Sequence, residues 1–488
     1  MKNMKKYLLI AFAAIASFTA CDFLDRGPLS DMTEEIYFKT AEDFQLFTNP
    51  LYNNLLDKHP YNHQSDHFIK LSLSNLLHGG SYRTVPASGG GWTWTDLRRI
   101  NTVLDRMDTC EDEKVRAQYE GLARFFRAFF YYELYTKFGD IPYTEKVLTV
   151  AESETITRTA KATVVENIIN DLEDAILSKA LPASYTGGDR GRITLGAAQA
   201  ILAKVHLFEG NFEQVKSLTE DIMKSGTYSL FNSYSGLFQI ANEYNDEVIL
   251  DVQYTPAFRE HNMMYYFLPP SMGGYSNLAP VQELVDSYIM LNGKAINEAG
   301  SGYDAANPFS NRDPRLAATV MYTGNSYKMA DGSELVIDCN AGRDAYGSTS
   351  DVTPTGYYLK KWWDNTYRLT LQSGLNPILI RYADILLMNA EAYVETTGMT
   401  EDVWNKTIKP IRERAGFTEA SALNYNASAD MKELVRNERR CELAFEGSRY
   451  KDIIRWKIAE TVLNGNVHGF YTGATVGTDN GFIVLETR

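Results

Sequence analysis

The stretch Ile380-Arg381-Tyr382-Ala383-Asp384-Ile385-Leu386-Leu387-Met388 begins a run whose apolar residues recur at helical spacing. This period predicts a helix over residues 378–395. Further along the same run, Ala390-x-x-Tyr393 places a small residue one turn before a ring, and Ala128-x-x-Tyr131 and Ala203-x-x-His206 repeat the pattern in other helical stretches. A small side chain lets the ring of a neighbouring helix approach closely, so the pattern indicates helices packed in pairs.

The helical period extends outward from this run over most of the chain. Helices are predicted over residues 33–56, 95–107, 112–138, 163–181, 194–209, 212–225, 402–415 and 430–460. Clustered glycines predict a long loop over 61–94, and the period fades over 228–376, where 247–254 is β-like. We therefore predict a mostly α fold of helix pairs like those of tetratricopeptide repeats, with an inserted loop-rich region that contains short β-strands. The irregular spacing of the three copies excludes a regular tandem array.

Composition limits the class of protein. The chain has 488 residues, of which 44% are apolar, enough for one large core or two moderate ones. Its formal net charge of −14 argues against nucleic-acid binding, which depends on Lys and Arg neutralising phosphates. After Cys21 the only cysteines are Cys110, Cys339 and Cys441, so at least one thiol is unpaired within the chain and no disulfide framework is expected.

The first twenty residues have the layout of a secretory signal. Residues 1–6 carry three lysines and no acid, residues 7–19 are almost wholly apolar, and Ala20 is a small residue before the expected cut. The run Phe18-Thr19-Ala20-Cys21 resembles a bacterial lipobox. We therefore expect residues 1–20 to be removed and Cys21 to carry lipid, so that the protein is held at a membrane by acyl chains alone.

Motifs of catalysis and metal binding are scarce. His-Glu-x-x-His, Gly-x-Ser-x-Gly and phosphate-binding glycine loops do not occur, so we expect no enzyme activity and no cofactor. His59, His63 and His67 recur every four residues, but Pro60 favours a loop over the helix that a zinc site of this spacing would need. We therefore expect no metal. Opposite charges alternate over 438–455 and indicate a structural, pair-stabilised segment.

Aromatic residues in loops give the strongest functional signal. An aromatic face can cover the apolar C–H side of a sugar ring, while amides, acids and Arg bond the hydroxyl groups. Trp94 also falls where a helix begins, so packing is an equal alternative for it, and at most one of Trp362 and Trp363 is expected on a binding face of a strand. Tyr265 and Tyr266 accompany Tyr275 near Pro269-Pro270 and Gly273-Gly274. The candidate ligand-binding residues are Asp66, Tyr82, Arg83, Trp92, Trp94, Tyr275, Trp362 and Trp363.

Several motifs in order resemble the SusD/RagB family of Bacteroidetes outer-membrane lipoproteins. They are Cys21-Asp22-Phe23-Leu24-Asp25, Phe138-Gly139-Asp140-Ile141-Pro142, Gly191-Arg192-Ile193-Thr194, Asn311-Arg312-Asp313-Pro314-Arg315, the opening stretch from Ile380, Arg412-Glu413-Arg414-Ala415-Gly416, Glu438-Arg439-Arg440 and Arg455-Trp456. The resemblance implies a signal peptide over 1–20, a helical region over 21–227, an inserted ligand-binding region over 228–376 and a C-terminal helical region over 377–488. It also leads us to expect that this last region lacks the usual proline-rich family tail.

The resemblance further implies a lipid-anchored protein on the surface of the outer membrane. Such a protein sits on a SusC-like TonB-dependent transporter and hands it a captured oligosaccharide. A peptide-capturing lid of the same architecture is the alternative. A surface enzyme and a purely structural adaptor are the remaining classes.

Overall fold

The computed structural model describes residues 38–56, 65–70, 94–276, 278–366, 371–475 and 477–487. In these ranges the helices are α1 (Ala41–Thr48), α2 (Asn53–Leu56), α3 (Thr95–Asp105), α4 (Glu113–Phe138), α5 (Val150–Thr155), α6 (Lys161–Leu177), α7 (Leu195–Glu209), α8 (Phe212–Ser225), α9 (Gln282–Ser287), α10 (Pro314–Thr319), α11 (Tyr382–Glu395), α12 (Glu401–Lys406), α13 (Ile408–Ala415), α14 (Ala420–Leu423), α15 (Met431–Glu442), α16 (Arg449–Arg455) and α17 (Ala459–Val462). The strands are β1 (Phe68–Lys70), β2 (Val248–Asp251), β3 (Leu278–Pro280), β4 (Val320–Met321), β5 (Ser326–Lys328), β6 (Glu334–Val336), β7 (Tyr358–Leu359), β8 (Ile378–Arg381), β9 (Asn466–Tyr471), β10 (Thr478–Asp479) and β11 (Phe482–Thr487).

Local sequence sets where the long helices begin and end. The Asp112 carboxylate accepts the backbone N–H groups of Lys114 and Val115 at the start of α4, and the Thr194 hydroxyl accepts that of Ala197 in α7. Helix α7 ends at Gly210, whose φ of 79° lies in the left-handed region. Glycine adopts this conformation with little strain because it has no Cβ. These signals place both helices within a residue or two of their predicted bounds.

The helices pack in a chain of neighbours. Helix α4 lies against α6, α6 against α7, α7 against α8, α8 against α11, and α11 against α15. The small residues of the repeated pattern, Ala128, Ala203 and Ala390, are fully buried at these crossings. One apolar core lies among α1, α3, α4, α6, α7 and α8, and a second is formed mainly by residues between Tyr234 and Ile378. The fold is thus mostly helical, with the tetratricopeptide-like packing that the sequence predicted.

The strands are short and form small antiparallel sheets, some between neighbouring segments and some between segments far apart in the sequence. Strand β1 pairs with β3, β2 with β8, β4 with β7 and β5 with β6, while β11 lies between β9 and β10. In the β1–β3 pair, Phe68 lies opposite Pro280 and Lys70 opposite Leu278. This register joins two strands that lie about 200 residues apart in the sequence.

A buried ion-pair cluster, the junction network, joins the helical scaffold to the inserted region. Arg381 Nη1 lies 2.7 Å from carboxylate oxygens of both Glu247 and Glu442, and Arg315 Nη1 lies 2.9 Å from Glu442. Arg414 contacts the same two glutamates. Burial alone would raise the pKa of Glu442, but the surrounding guanidinium groups hold it well below its usual value. The charged run over 438–455 is therefore interior structure rather than a solvated helix face.

Several element boundaries differ from the sequence prediction. Residues 378–381 form β8 and not the first turn of a helix, because they pair with β2. The predicted helix over 430–460 is broken after α15, where Phe445 and Gly447 take φ values of 60° and 80°. The C-terminal region ends in the β9–β11 sheet rather than in helix. Of the predicted helix over 33–56, residues 33–37 lie outside the described ranges.

Cys110, Cys339 and Cys441 are buried and unpaired. Within the described ranges, every helix is too short or too polar to cross a bilayer.

Candidate functional site

The loop between α8 and α9 carries a short, tightly bonded segment from His261 to Ser276. It contains two single-turn 3₁₀ helices, Met263–Tyr266 and Pro270–Met272. The backbone N–H of Gly274 donates to Pro269 O at 3.0 Å, and the Ser276 hydroxyl donates to Leu268 O at 3.1 Å. These bonds fold the segment back on itself, so its outer residues are held in fixed positions.

Gly274 makes this close fold possible. A Cβ at this position would lie 1.9 Å from the carbonyl oxygen of Leu268, well inside van der Waals contact. Its neighbour Gly273 takes a left-handed φ of 82°, which also favours glycine. The pair of glycines lets the chain turn within two residues and bring Tyr275 back beside Tyr265.

Two tyrosines form an exposed aromatic surface, which we name the tyrosine platform. The rings of Tyr265 and Tyr275 are nearly parallel, at 9°, with centroids 5.6 Å apart. The Tyr275 N–H donates to Tyr265 O at 2.8 Å, and Tyr266 packs edge-on against Tyr265. Tyr265 is 41% exposed and Tyr275 is half-buried. The rings are therefore positioned before any ligand arrives, which lowers the entropy cost of binding.

Polar groups lie on the loop that supports the platform. The Ser271 N–H donates to Asp344 Oδ1 at 2.8 Å, and the Tyr358 hydroxyl donates to Asp344 O at 2.8 Å. Asp344 is thereby held between the platform loop and β7. Its neighbours Arg343 and Tyr346 are exposed, and Tyr346 packs against Phe470. The surroundings of the platform thus offer a cation and a further ring.

The chain matches known proteins over almost its whole length. The family model described as the SusD family matches residues 237–481, a span that holds the tyrosine platform and the junction network. The chain belongs to the SusD family. A second model, described as "Starch-binding associating with outer membrane", matches residues 22–207.

Relatives of this SusD-family chain include sequences and solved structures. SusD-like protein P25 of Formosa agariphila is 25% identical, over 97% of this chain and 94% of that protein. A SusD-like carbohydrate-binding protein from Bacteroides fragilis has a TM-score of 0.80 at 24% identity, covering 92% of this chain and 94% of its own. Surface glycan-binding protein A from Bacteroides thetaiotaomicron, solved in complex with laminarihexaose, has a TM-score of 0.63 at 19% identity, covering 86% and 91%.

Among the residues proposed from sequence, Tyr275 lies in the platform. Its partner Tyr265 was noted in the same cluster, but nothing in the sequence showed that the two rings stack. Cys21, Tyr82, Arg83 and Trp92 lie outside the described residues. In the β1–β3 pair, Lys70 lies opposite Leu278. Lys70 is the last described residue before 71–93, and Leu278 comes three residues after Tyr275.

For Trp94, ligand binding and packing within the fold were equal alternatives from the sequence. It occupies the N-cap position of α3, and its partly buried ring packs against Phe130 with centroids 5.8 Å apart. The contact anchors the beginning of α3 on α4. Packing accounts for this residue.

Asp66 is a buried structural acid and not an open ligand contact. Arg449 donates to its two carboxylate oxygens at 2.7 and 2.8 Å, and Arg440 lies 3.1 Å away. Burial alone would raise the pKa of Asp66, but the two guanidinium groups hold it well below its usual range. Both carboxylate oxygens of Asp66 accept hydrogen bonds from within the fold. The ion pair with Arg449 therefore links the chain just before β1 to α16.

The two adjacent tryptophans were expected on a strand, but they lie in a turn. Trp362 takes a φ of 73°, is 1% exposed, and donates its indole N–H to Phe445 O at 3.2 Å. It is a core residue and cannot stack on a ligand. Trp363 is 9% exposed and donates its indole N–H to Lys328 O at 3.0 Å, at the wall of a separate cleft.

His67, the third histidine of the four-residue series, is buried beside Phe445, and burial holds its pKa well below the usual value. His59 and His63 lie outside the described residues. Across the part of the chain that is described, no group of three His, Cys, Asp or Glu side chains is arranged to hold a metal ion.

Proposed function

We propose that this SusD-family chain captures oligosaccharides at the outer membrane and delivers them to a SusC-like TonB-dependent transporter. The observation that carries the proposal is the tyrosine platform, in which an exposed ring and a half-buried ring lie nearly parallel on one hydrogen-bonded loop. A pyranose ring presents a C–H face that such a platform desolvates, while its hydroxyl groups stay at the rim. The description of the matched N-terminal model and the laminarihexaose complex of the structural neighbour support the same ligand class.

The proposed site extends beyond the platform. Arg343 would bond sugar hydroxyl groups from the neighbouring loop, and Tyr82, Arg83 and Trp92 would add contacts from the segment after β1. Cys21 would carry the lipid that keeps the protein at the membrane. Stacked rings supply most of the binding energy in this arrangement, and the hydroxyl bonds select the sugar. The proposed role is capture and delivery, in which the glycan leaves the site unchanged.

A binding screen tests the ligand class. Lipid-free protein (residues 22–488) is run by affinity electrophoresis against laminarin, other polysaccharides and peptides, and the products are checked for hydrolysis. We expect retardation by at least one glycan without cleavage. Retardation by peptides alone would replace the proposal with a peptide-capturing lid, and cleavage would make the protein an enzyme.

The variant Tyr275→Ala tests the site. We expect it to weaken binding of the retarding glycan by about tenfold or more, the loss of about 1.4 kcal/mol or more for one stacking ring. Tyr471→Ala, which removes a 58% exposed tyrosine from β9, is the matched control. Equal affinities for the two variants would contradict the assignment of the platform.

A further inference from the structure

A cleft of about 470 Å³ lies apart from the tyrosine platform, along one face of the β5–β6 hairpin. Its walls include Lys328 and Glu334 from the hairpin, Trp363 from the following turn, and Gln239 from the loop before β2. Ala317 and Ala318 of α10 leave room at its floor. The volume lies within the range of about 300–1,000 Å³ that is usual for sites of small ligands.

The aromatic wall of this cleft is fixed in place. Trp363 donates its indole N–H to Lys328 O, and Tyr327 packs edge-on against its ring with centroids 5.5 Å apart. The Gln239 amide donates to Trp363 O at 2.6 Å. Backbone and ring are thus both held by neighbours, so that the wall is formed without a ligand.

The charges around the cleft favour an anion. Three lysines line the cleft, against one carboxylate from Glu334. Lys361 is paired with Glu446, which leaves the ammonium groups of Lys328 and Lys360. The Lys360 ammonium donates to the neutral Asn325 Oδ1 at 3.0 Å, and the Ser326 hydroxyl donates to Glu334 Oε2 at 2.9 Å. Among the described residues, neither lysine has a carboxylate oxygen within 4.0 Å. A local excess of positive charge on a chain of net charge −14 is a feature that binding of an anion would explain.

Partial burial makes the charge of Lys360 effective. Burial lowers the pKa of this lysine, and the nearby Glu334 opposes that change. An ammonium that is partly stripped of water interacts more strongly with an incoming anion than a fully solvated one does. The Trp363 wall lies in the same cleft, so one ligand can meet both an aromatic surface and a cation.

We infer that this cleft is a second binding site, for a sugar residue that carries a carboxylate or sulfate group. The sugar contacts the small exposed part of Trp363, and its anionic group meets the Lys360 and Lys328 ammonium groups. The inference rests on the proposed glycan-binding function and adds a ligand class to it. Two sites in one chain would let a long acidic polysaccharide bind at two points, with a gain in overall affinity.

The first test compares acidic ligands with their neutral forms. Trigalacturonate and its methyl ester, and a sulfated galactan oligosaccharide and its desulfated form, are titrated into the full mature chain. We expect each acidic form to bind at least tenfold more tightly than its neutral counterpart. Lys360→Gln should remove most of this preference, whereas Lys224→Gln, at an exposed lysine of α8, should leave it unchanged. Preference for only one acidic form identifies which anion the cleft accepts.

A variant that is expected to bind more tightly provides a second test, because misfolding could weaken binding but would not strengthen it. Glu334 is exposed on the hairpin, so Glu334→Gln removes a repulsive carboxylate at little cost to the fold. We expect it to tighten binding of the acidic ligand by about threefold or more. Unchanged affinity in both Lys360→Gln and Glu334→Gln would overturn the acidic-sugar site. Failure of the acidic ligands to bind, alongside binding of laminarin that depends on Tyr275, would overturn the second site and leave the proposed function standing.

Discussion

At the scale of single residues, the platform depends on Gly274 as much as on its tyrosines. The tyrosines supply the surface, but only the missing side chain at residue 274 allows the chain to pass against Leu268 O and to bring Tyr275 beside Tyr265. Sequence analysis found the tyrosines and the Gly273-Gly274 pair as neighbours in one loop. It could not find the stacking, because that contact results from backbone hydrogen bonds that no residue pattern specifies.

The variant Gly274→Ala tests this dependence. Its Cβ forces the loop away from Leu268, so we expect the free energy of unfolding to fall by about 1–3 kcal/mol and glycan binding to weaken with it. Gly188→Ala is the control, because a Cβ there meets no atom within 4 Å. Denaturant unfolding and glycan titration of both variants provide the measurement. Tight glycan binding by Gly274→Ala would show that the platform does not need this loop geometry.

At the scale of elements, two acidic residues with restricted access to water lie at or near the β2–β8 pair. Asp251 ends β2, and burial raises its pKa to about 6. Glu243 accepts the Asn376 N–H before β8, and burial, with the nearby Asp251, raises its pKa to about 7. Both values exceed those of an unfolded chain, so the folded state holds more protons than the unfolded one. Stability contributed by these acids is present below about pH 4 and is lost as the pH rises toward 7.

The variant Glu243→Gln isolates this contribution. In the wild type, these two acids cause the free energy of unfolding to fall between pH 5 and 7. We expect the variant to show roughly half of that fall, since one of the two acids no longer titrates. Subtracting the wild-type curve removes contributions from other groups, such as the buried His67. Glu154→Gln, at an exposed acid of α5, is the control. Parallel curves for wild type and Glu243→Gln would contradict the assignment.

The same pair of strands shows what sequence can and cannot predict about elements. The apolar period predicted α3, α4, α6, α7 and α8 to within a few residues, because that signal is local. Residues 378–381 have the same apolar character as the helix that follows them, and only their pairing with β2 makes them a strand. The break after α15 was partly visible in Gly447, but the left-handed Phe445 was not. Packing of distant segments decides such cases.

At the scale of the whole molecule, buried charge joins parts that are far apart in sequence. Asp66 contacts Arg449, and the junction network brings Glu247 to residues of β8, α13 and α15. Sequence analysis identified the charged run over 438–455 as structural. Asp66 was predicted to contact ligand, because no sequence pattern shows that its partner Arg449 lies 383 residues away. Long-range pairing is the part of the fold that composition and spacing do not show.

The variant Arg381→Met tests the junction network. It leaves Glu247 and Glu442 buried with less compensating charge, and we expect the free energy of unfolding to fall by about 3–5 kcal/mol. Lys406→Met breaks the exposed pair with Asp402 and should cost about 1 kcal/mol or less. Chemical denaturation of both variants measures the two losses in the free energy of unfolding. Similar losses in the two would show that the network contributes no more than a surface pair.

The central claim is that parallel aromatic rings at Tyr265 and Tyr275 hold the glycan. Its most direct test is the affinity of the retarding glycan for two double variants, Tyr265→Phe with Tyr275→Phe and Tyr265→Ala with Tyr275→Ala, measured by calorimetric titration. The phenylalanine pair keeps both rings and should bind within about threefold of wild type, whereas the alanine pair should lose binding by about a hundredfold or more. Wild-type affinity in the alanine pair would place the glycan elsewhere and contradict the account.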